Sequence, residues 1–144
     1  MKKVLFTLLI AVFALTAASH AGSLSVGTWG GIATLGYDIN DTVSGSVGSF
    51  FTNSTTSTYG LLLKADYDLA KLGEVQTEIG MFYYTTSAGA WGQLGLTYGV
   101  ETMVQDNLSL GADFIVVDST SYASGATSLT RVLPAVAITA ALFI

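Results

Sequence analysis

Cysteine is absent from this 144-residue chain, so disulfide bonds, thiol chemistry and cysteine-based metal sites are excluded. The single histidine, His20, falls within a segment that has the features of a cleaved export signal. Without an imidazole, none of the many serines has the usual base that activates a nucleophilic hydroxyl. We therefore predict a protein that is not an enzyme and that has no catalytic residue, no metal and no cofactor.

Basic residues are scarce, and two of them belong to the segment with export-signal features. Lys2 and Lys3 precede an apolar run over residues 4–14, and a small-x-small cleavage site follows. The run is shorter than the roughly 20 residues of a membrane-spanning helix, which argues against an anchor. We predict a signal peptide at residues 1–21 and one domain at residues 22–144. Three basic residues then remain against ten acidic ones, which argues against nucleic acid as a partner.

Long apolar runs are also missing after the signal, and an alternation of period two takes their place. In residues 92–105 the even positions are mostly apolar, whereas the odd positions carry glycine or polar groups. Successive strand side chains point to opposite faces, so the pattern predicts one apolar and one polar face. Seven such segments are clear, and a weaker one at 22–28 is expected to turn at 29–31 through a Gly-Gly pair. We predict eight strands; the alternatives are one long bulged first strand or pairing between chains.

The breaks between the clear segments fall into two alternating classes. The first, third and fifth are tight turns, whereas the second, fourth and sixth are longer and rich in Ser, Thr, Gly and Ala. Bacterial outer-membrane barrels have short periplasmic turns and longer outer loops. The chain is therefore predicted to be all-β, an up-and-down antiparallel transmembrane β-barrel in the cell outer membrane.

Aromatic side chains on the apolar faces lie near strand ends. Five positions show this placement, beside either the tight turns or the longer loops: Tyr37, Phe51, Tyr59, Tyr67 and Tyr83. Membrane barrels carry aromatic girdles at both interfaces around an aliphatic band. We predict that these five residues mark the membrane interfaces.

Charged side chains occupy the polar faces in mid-strand. The set predicted to form a network inside the barrel is Lys64, Glu78, Glu101, Asp113 and Arg131. Side chains just fill the interior of an eight-stranded barrel, and unpaired buried charges are costly, so we expect a salt-bridged plug. A charged, porin-like lumen that conducts or gates a small ion is the functional alternative. Asp66 and Asp68, near a tight turn, are interpreted as solvated acids at the rim and not as a Ca²⁺ site.

Three segments resemble the small outer-membrane β-barrels of the OmpA and OmpX type. LGYDINDTVSGSVG (35–48) and YGVETMVQDNLSLGADF (98–114) are similar to the strand–short turn–strand units of that family. VAITAALFI (136–144) is similar to its C-terminal insertion signal, although Ile144 follows the phenylalanine. The resemblance implies an outer-membrane location, recognition by the barrel-assembly machinery and no defined activity. The residues of the implied insertion signal are Val136, Ile138, Ala140, Leu142, Phe143 and Ile144.

The functional prediction is a non-enzymatic outer-membrane barrel with a filled polar interior. Its role is expected to be structural or in surface interaction within the cell envelope, with outer-membrane lipid as partner. The alternative is a soluble periplasmic or secreted β-barrel or sandwich that binds a small apolar ligand. That alternative predicts that the face with Leu61, Leu63, Leu94 and Leu96 points inward.

Overall fold

The computed structural model of the protein describes residues 23–53, 57–87, 92–121 and 129–144, so the predicted signal peptide lies outside it. The described residues form eight strands in chain order: β1 (Leu24–Trp29), β2 (Ile32–Asn40), β3 (Val43–Asn53), β4 (Ser57–Leu72), β5 (Val75–Thr86), β6 (Gly92–Gln105), β7 (Leu108–Ser121) and β8 (Leu129–Phe143). They contain no helix that is long and apolar enough to cross a membrane.

Each strand pairs in antiparallel fashion with the next, and β1 also pairs with β8. Register pairs such as Ser25 with Gly36 and Ser25 with Phe143 place β1 between β2 and β8 and close the sheet on itself. The prediction of an eight-stranded up-and-down barrel is therefore confirmed. The alternative of one long bulged first strand is wrong, and closure needs no second chain.

A two-residue turn separates β1 from β2. Gly30 and Gly31 have φ angles of 54° and 85°, a pair of positive values typical of a type I′ hairpin. Trp29, which the sequence suggested as part of the turn, is the last residue of β1 and pairs with Ile32. Its side chain is buried inside the barrel, so the weak first strand supplies a core residue.

The register keeps the apolar positions of neighbouring strands together on the outer face. Leu63 pairs with Val47 on one side and with Tyr83 on the other, and Tyr83 pairs in turn with Leu94. Lys64, one position along β4, pairs with Ser46 and points inward. A one-residue slip would exchange the two faces, so the alternation in the sequence selects this register.

The barrel interior is layered. We call the end with the β2–β3, β4–β5 and β6–β7 turns the lower end, and the opposite end the upper end. Across the middle lies an apolar plug, formed by Trp29, Leu62, Phe82, Ile115 and Ala137. The Trp29 and Phe82 rings lie 5.1 Å apart between centroids at 45°. Charged groups lie above and below this plug.

A bulge in β7 changes which of its residues point inward. Leu96 pairs with Val117, but the next residue of β6, Thr97, pairs with Ile115, so β7 has one extra residue here. Below the bulge Asp113 points inward, and above it Asp118 does. Sequence alternation does not predict such an insertion, which is why Asp118 was missing from the predicted interior charges.

Candidate functional site

Below the plug, three carboxylates from three strands surround one ammonium group. Lys64 Nζ forms an ion pair with Asp66 Oδ1, lies 2.9 Å from Asp113 Oδ2 and lies 3.8 Å from Glu78 Oε1. All four residues are buried. We call Asp66, Glu78 and Asp113 the carboxylate cluster. Among the described residues, Lys64 is the one basic group within ion-pair distance of it, so negative charge is in excess.

Trp29 connects the carboxylate cluster to the apolar plug. Its indole Nε1 donates a hydrogen bond to Asp113 Oδ2 at 2.5 Å, the oxygen that also faces Lys64. A buried indole N–H needs such an acceptor, and the ring behind it packs on Phe82. Asp113 is thereby held in place by two donors, while its other oxygen, Oδ1, faces Glu78 above Gly99.

Two glycines make room for the carboxylates. A Cβ on Gly80 would stand 2.2 Å from Asp66 Oδ1 and 2.6 Å from Thr97 Oγ1, and one on Gly99 would stand 2.4 Å from both Asp113 Oδ1 and Glu78 Oε1. Any side chain at these positions would occupy the space of the charged groups. The inward glycines therefore position the site as well as easing strand curvature.

Above the plug, Arg131 binds Asp118 through two hydrogen bonds. Arg131 Nε donates to Oδ1 at 2.9 Å, and Nη2 donates to Oδ2 at 2.6 Å. Gln93 Nε2 adds a third donor, 2.5 Å from Oδ2. Asp118 is fully buried, whereas the side chain of Arg131 is about half exposed. This pair is balanced in charge, unlike the cluster below.

The structure divides the predicted charge network into separate groups. Lys64, Glu78 and Asp113 meet below the plug, Arg131 lies above it with Asp118, and Glu101 lines a cavity nearer the lower end. Asp66, interpreted from the sequence as a solvated rim residue, is buried beside Lys64 because Gly80 opposite leaves it room. Asp66 lies two residues from Lys64 on the same face of β4, and this spacing in the sequence could have predicted the ion pair.

A cavity of about 520 Å³ occupies the lower end of the barrel. Acidic residues dominate the charges of its lining, which includes Asp38, Asp41, Asp68, Glu74, Glu78 and Glu101 together with one basic residue, Lys71. We call this cavity the lower vestibule. A smaller cavity of about 110 Å³ shares Asp38, Glu78 and Glu101 with it and reaches Lys64 and Trp29. Together they connect the lower rim to the carboxylate cluster.

The predicted interface aromatics have different environments. Tyr59, Tyr67 and Tyr83 are exposed on the outer face, whereas Tyr37 is only 6% exposed, and the side chain of Phe51 is outside the described part of the structure. Tyr37 pairs with Gly45 on β3, and it is among the residues that line the smaller cavity. Exposed aromatic residues also lie in mid-strand, where Tyr98 pairs with Phe114.

The C-terminal segment forms most of β8. Its large alternate residues are exposed on the outer face: Val136, Ile138, Leu142 and Ile144. Phe143 instead borders the lower vestibule, and Ala140 pairs with Thr28 of the first strand. The face that the ligand-binding alternative would turn inward points outward, with Leu63, Leu94 and Leu96 exposed. Comparison of the chain with protein-family models, curated proteins and solved structures finds no match.

Proposed function

We propose that this chain is a small outer-membrane β-barrel of a Gram-negative-type cell, with a non-enzymatic role in envelope structure or surface interaction. The observation that carries the proposal is the inverted distribution of polarity. Large apolar side chains of β4 to β8 are exposed on the outer face, whereas ion pairs and carboxylates are buried inside. A barrel whose solvent is lipid requires this arrangement.

The extent of the apolar surface favours lipid over water. Leu94, Met81 and Ile138 are each more than half exposed, and similar residues continue around β4 to β8. Monomeric soluble proteins rarely expose contiguous apolar patches larger than a few hundred Å². In this proposal residues 1–21 direct export, the barrel-assembly machinery receives the C-terminal strand, and lipid covers the outer face.

Heat modifiability combined with fractionation tests the location. The full chain is expressed with its signal, the cell envelope is separated from the periplasm, and unheated and boiled samples are compared on SDS gels. We expect a faster-migrating unheated band that is confined to the outer membrane. Release with the periplasm, without detergent and without a band shift, would instead support the soluble barrel.

A matched pair of arginine substitutions tests whether the outer face meets lipid. Leu96 and Val104 of β6 are 50% and 51% exposed, but Leu96 is farther from the strand ends, whereas Val104 lies at a bulge near the lower end. In a bilayer, Leu96→Arg should cost about 2–4 kcal/mol of unfolding free energy and Val104→Arg about 0–1 kcal/mol, because the penalty depends on depth. Urea unfolding in lipid vesicles measures both values. In a water-soluble barrel the two equally exposed sites should tolerate arginine equally.

A further inference from the structure

Thr97 has a buried hydroxyl group that no hydrogen bond of the described fold uses. It is 3% exposed, and its Oγ1 has no hydrogen-bond partner among the described residues. An unsatisfied buried hydroxyl is destabilising, so its presence requires an explanation. Thr97 pairs with Gly80 on β5, and its Oγ1 lies above that glycine on the same side as Asp66 Oδ1. The unpartnered oxygen therefore points into the carboxylate cluster.

From this hydroxyl and the charge imbalance we propose that the carboxylate cluster and Thr97 form a binding site for one Ca²⁺ ion. The three carboxylates carry up to three negative charges against the single charge of Lys64. A divalent cation restores neutrality in a place where uncompensated charge is costly. Lys64 remains beside Asp113 Oδ2, and the ion takes oxygens that make no ion pair with the ammonium, among them Asp113 Oδ1 and Thr97 Oγ1.

The chemistry and spacing of the donors select the ion. Carboxylate and hydroxyl oxygens suit hard cations, and the described cluster offers no softer ligand. One oxygen from each carboxylate lies within 4.8 Å of the others. Ca²⁺ accepts about six to eight oxygen ligands in flexible geometry, whereas Mg²⁺ demands a near-ideal octahedron. An irregular donor set that is held by strands of the barrel therefore favours Ca²⁺.

The lower vestibule supplies the route to the site. Its acidic lining attracts cations from the lower end, and the smaller cavity continues to Asp66 and Glu78. The apolar plug lies on the far side of the cluster, where Leu62 and Phe82 are buried. The site therefore lies at the closed inner end of two connected, acidic cavities. This arrangement does not depend on whether lipid or water covers the barrel.

Terbium luminescence tests the site, with Tb³⁺ as the probe for Ca²⁺. The indole of Trp29, bound to Asp113, is placed to sensitise the emission. A Trp91→Phe background leaves Trp29 as the sole tryptophan of the folded full chain. We expect one saturable Tb³⁺ per chain, displaced by Ca²⁺ at least about tenfold more effectively than by Mg²⁺, with calorimetric titration of CaCl₂ giving the same stoichiometry.

The decisive variant is Thr97→Val, which removes only the hydroxyl oxygen. Because that oxygen has no partner within the described protein, the variant should fold with an unchanged or higher unfolding midpoint in chelator. Its Ca²⁺ affinity should fall about tenfold, comparable to the loss of a supporting ligand interaction. Asp113→Asn should abolish binding. Circular dichroism in the β-sheet region verifies folding of each variant.

Asp118→Asn is the matched control. Asp118 is as buried as Asp113, at 1% exposed each, but it is neutralised by Arg131 on the other side of the plug. We expect its Ca²⁺ affinity to equal that of the parent protein. The proposal is overturned by a parent protein without saturable binding, by unchanged affinity in Thr97→Val, or by an equal loss in Asp118→Asn. None of these results depends on the cellular location of the barrel.

Discussion

Arg131 and Asp118 form a pair whose partners have unequal access to water. Asp118 is fully buried, whereas Arg131 is about half exposed and reaches its partner from the upper end. Loss of Arg131 leaves a buried carboxylate whose remaining described donor is Gln93. Loss of the charge on Asp118 leaves an arginine that can turn toward the solvent. The stability of the upper half of the barrel should therefore depend more on the cation than on the anion.

We expect Arg131→Met to cost about 3–5 kcal/mol of unfolding free energy, the range for stranding a buried charge. Asp118→Asn should cost only about 1 kcal/mol, because the amide oxygen still accepts from Arg131. Urea unfolding of both variants gives the comparison. The double variant Arg131→Met/Asp118→Leu, which removes both charges, should recover much of the loss. Equal costs for the two single variants would show that burial does not govern the pair.

At the residue scale, the sequence indicates on which face of the sheet a charged residue lies, but it does not indicate which residue is its ion-pair partner. Lys64, Glu78 and Asp113, which alternation assigns to the inward face, are buried in the structure. Alternation could not show that Arg131 lies opposite Asp118, because the register of β7 with β8 shifts by one residue between Ile115 and Val117, where β8 has an extra residue. Period-two patterns specify a face, but the height of a residue in the barrel depends on pairing, tilt and bulges.

At the element scale, the β1–β2 hairpin shows how local chemistry limits a strand. Gly31 has a φ of 85°, and a Cβ added there would meet nothing within 4 Å. The position is therefore restricted by backbone conformation and not by packing. Gly31→Ala should cost about 1–2 kcal/mol, whereas Gly31→Asn should cost less, because asparagine tolerates a positive φ.

Denaturant titration measures both hairpin variants, and Ser49→Ala on the neighbouring β3 controls for general effects of alanine. If the alanine and asparagine variants were equally stable, the left-handed backbone at Gly31 would not be the restriction. The Gly-Gly pair was readable in the sequence and located the hairpin. The end of β1 could not be read from the sequence, because Trp29 stands beside two glycines and was therefore assigned to the turn.

At the scale of the whole molecule, the apolar plug separates the charged groups of the upper end of the barrel from those of the lower end. Leu62 and Phe82 are almost completely buried within it, and charged groups lie on either side. Alternation predicted a filled interior but assigned the filling to salt bridges. The inward apolar residues Trp29, Leu62 and Ile115 come from different strands, and only the register brings them to one height.

We expect the wild-type chain to give no discrete conductance steps in planar bilayers, because the plug offers no polar path. The double variant Trp29→Ala/Phe82→Ala, which removes both plug rings, should give cation-selective steps, since acidic side chains line the lower interior. Tyr83→Ala, which removes an outward ring, serves as the control and should behave as the wild type does. Reproducible steps in the wild type would instead favour the ion-conducting pore.

The short first strand has a consequence for the order of assembly. The five residue pairs between β1 and β8 join Ser25–Trp29 to residues 139–143, and Ile144 N donates to Leu24 O. One edge of β1 therefore stays unpaired until β8 is in place. Before that, the chain is at most an open sheet with two unpaired edges. Open edges pair readily with other chains. The interval between synthesis of β1 and arrival of β8 is therefore when aggregation competes most strongly with folding.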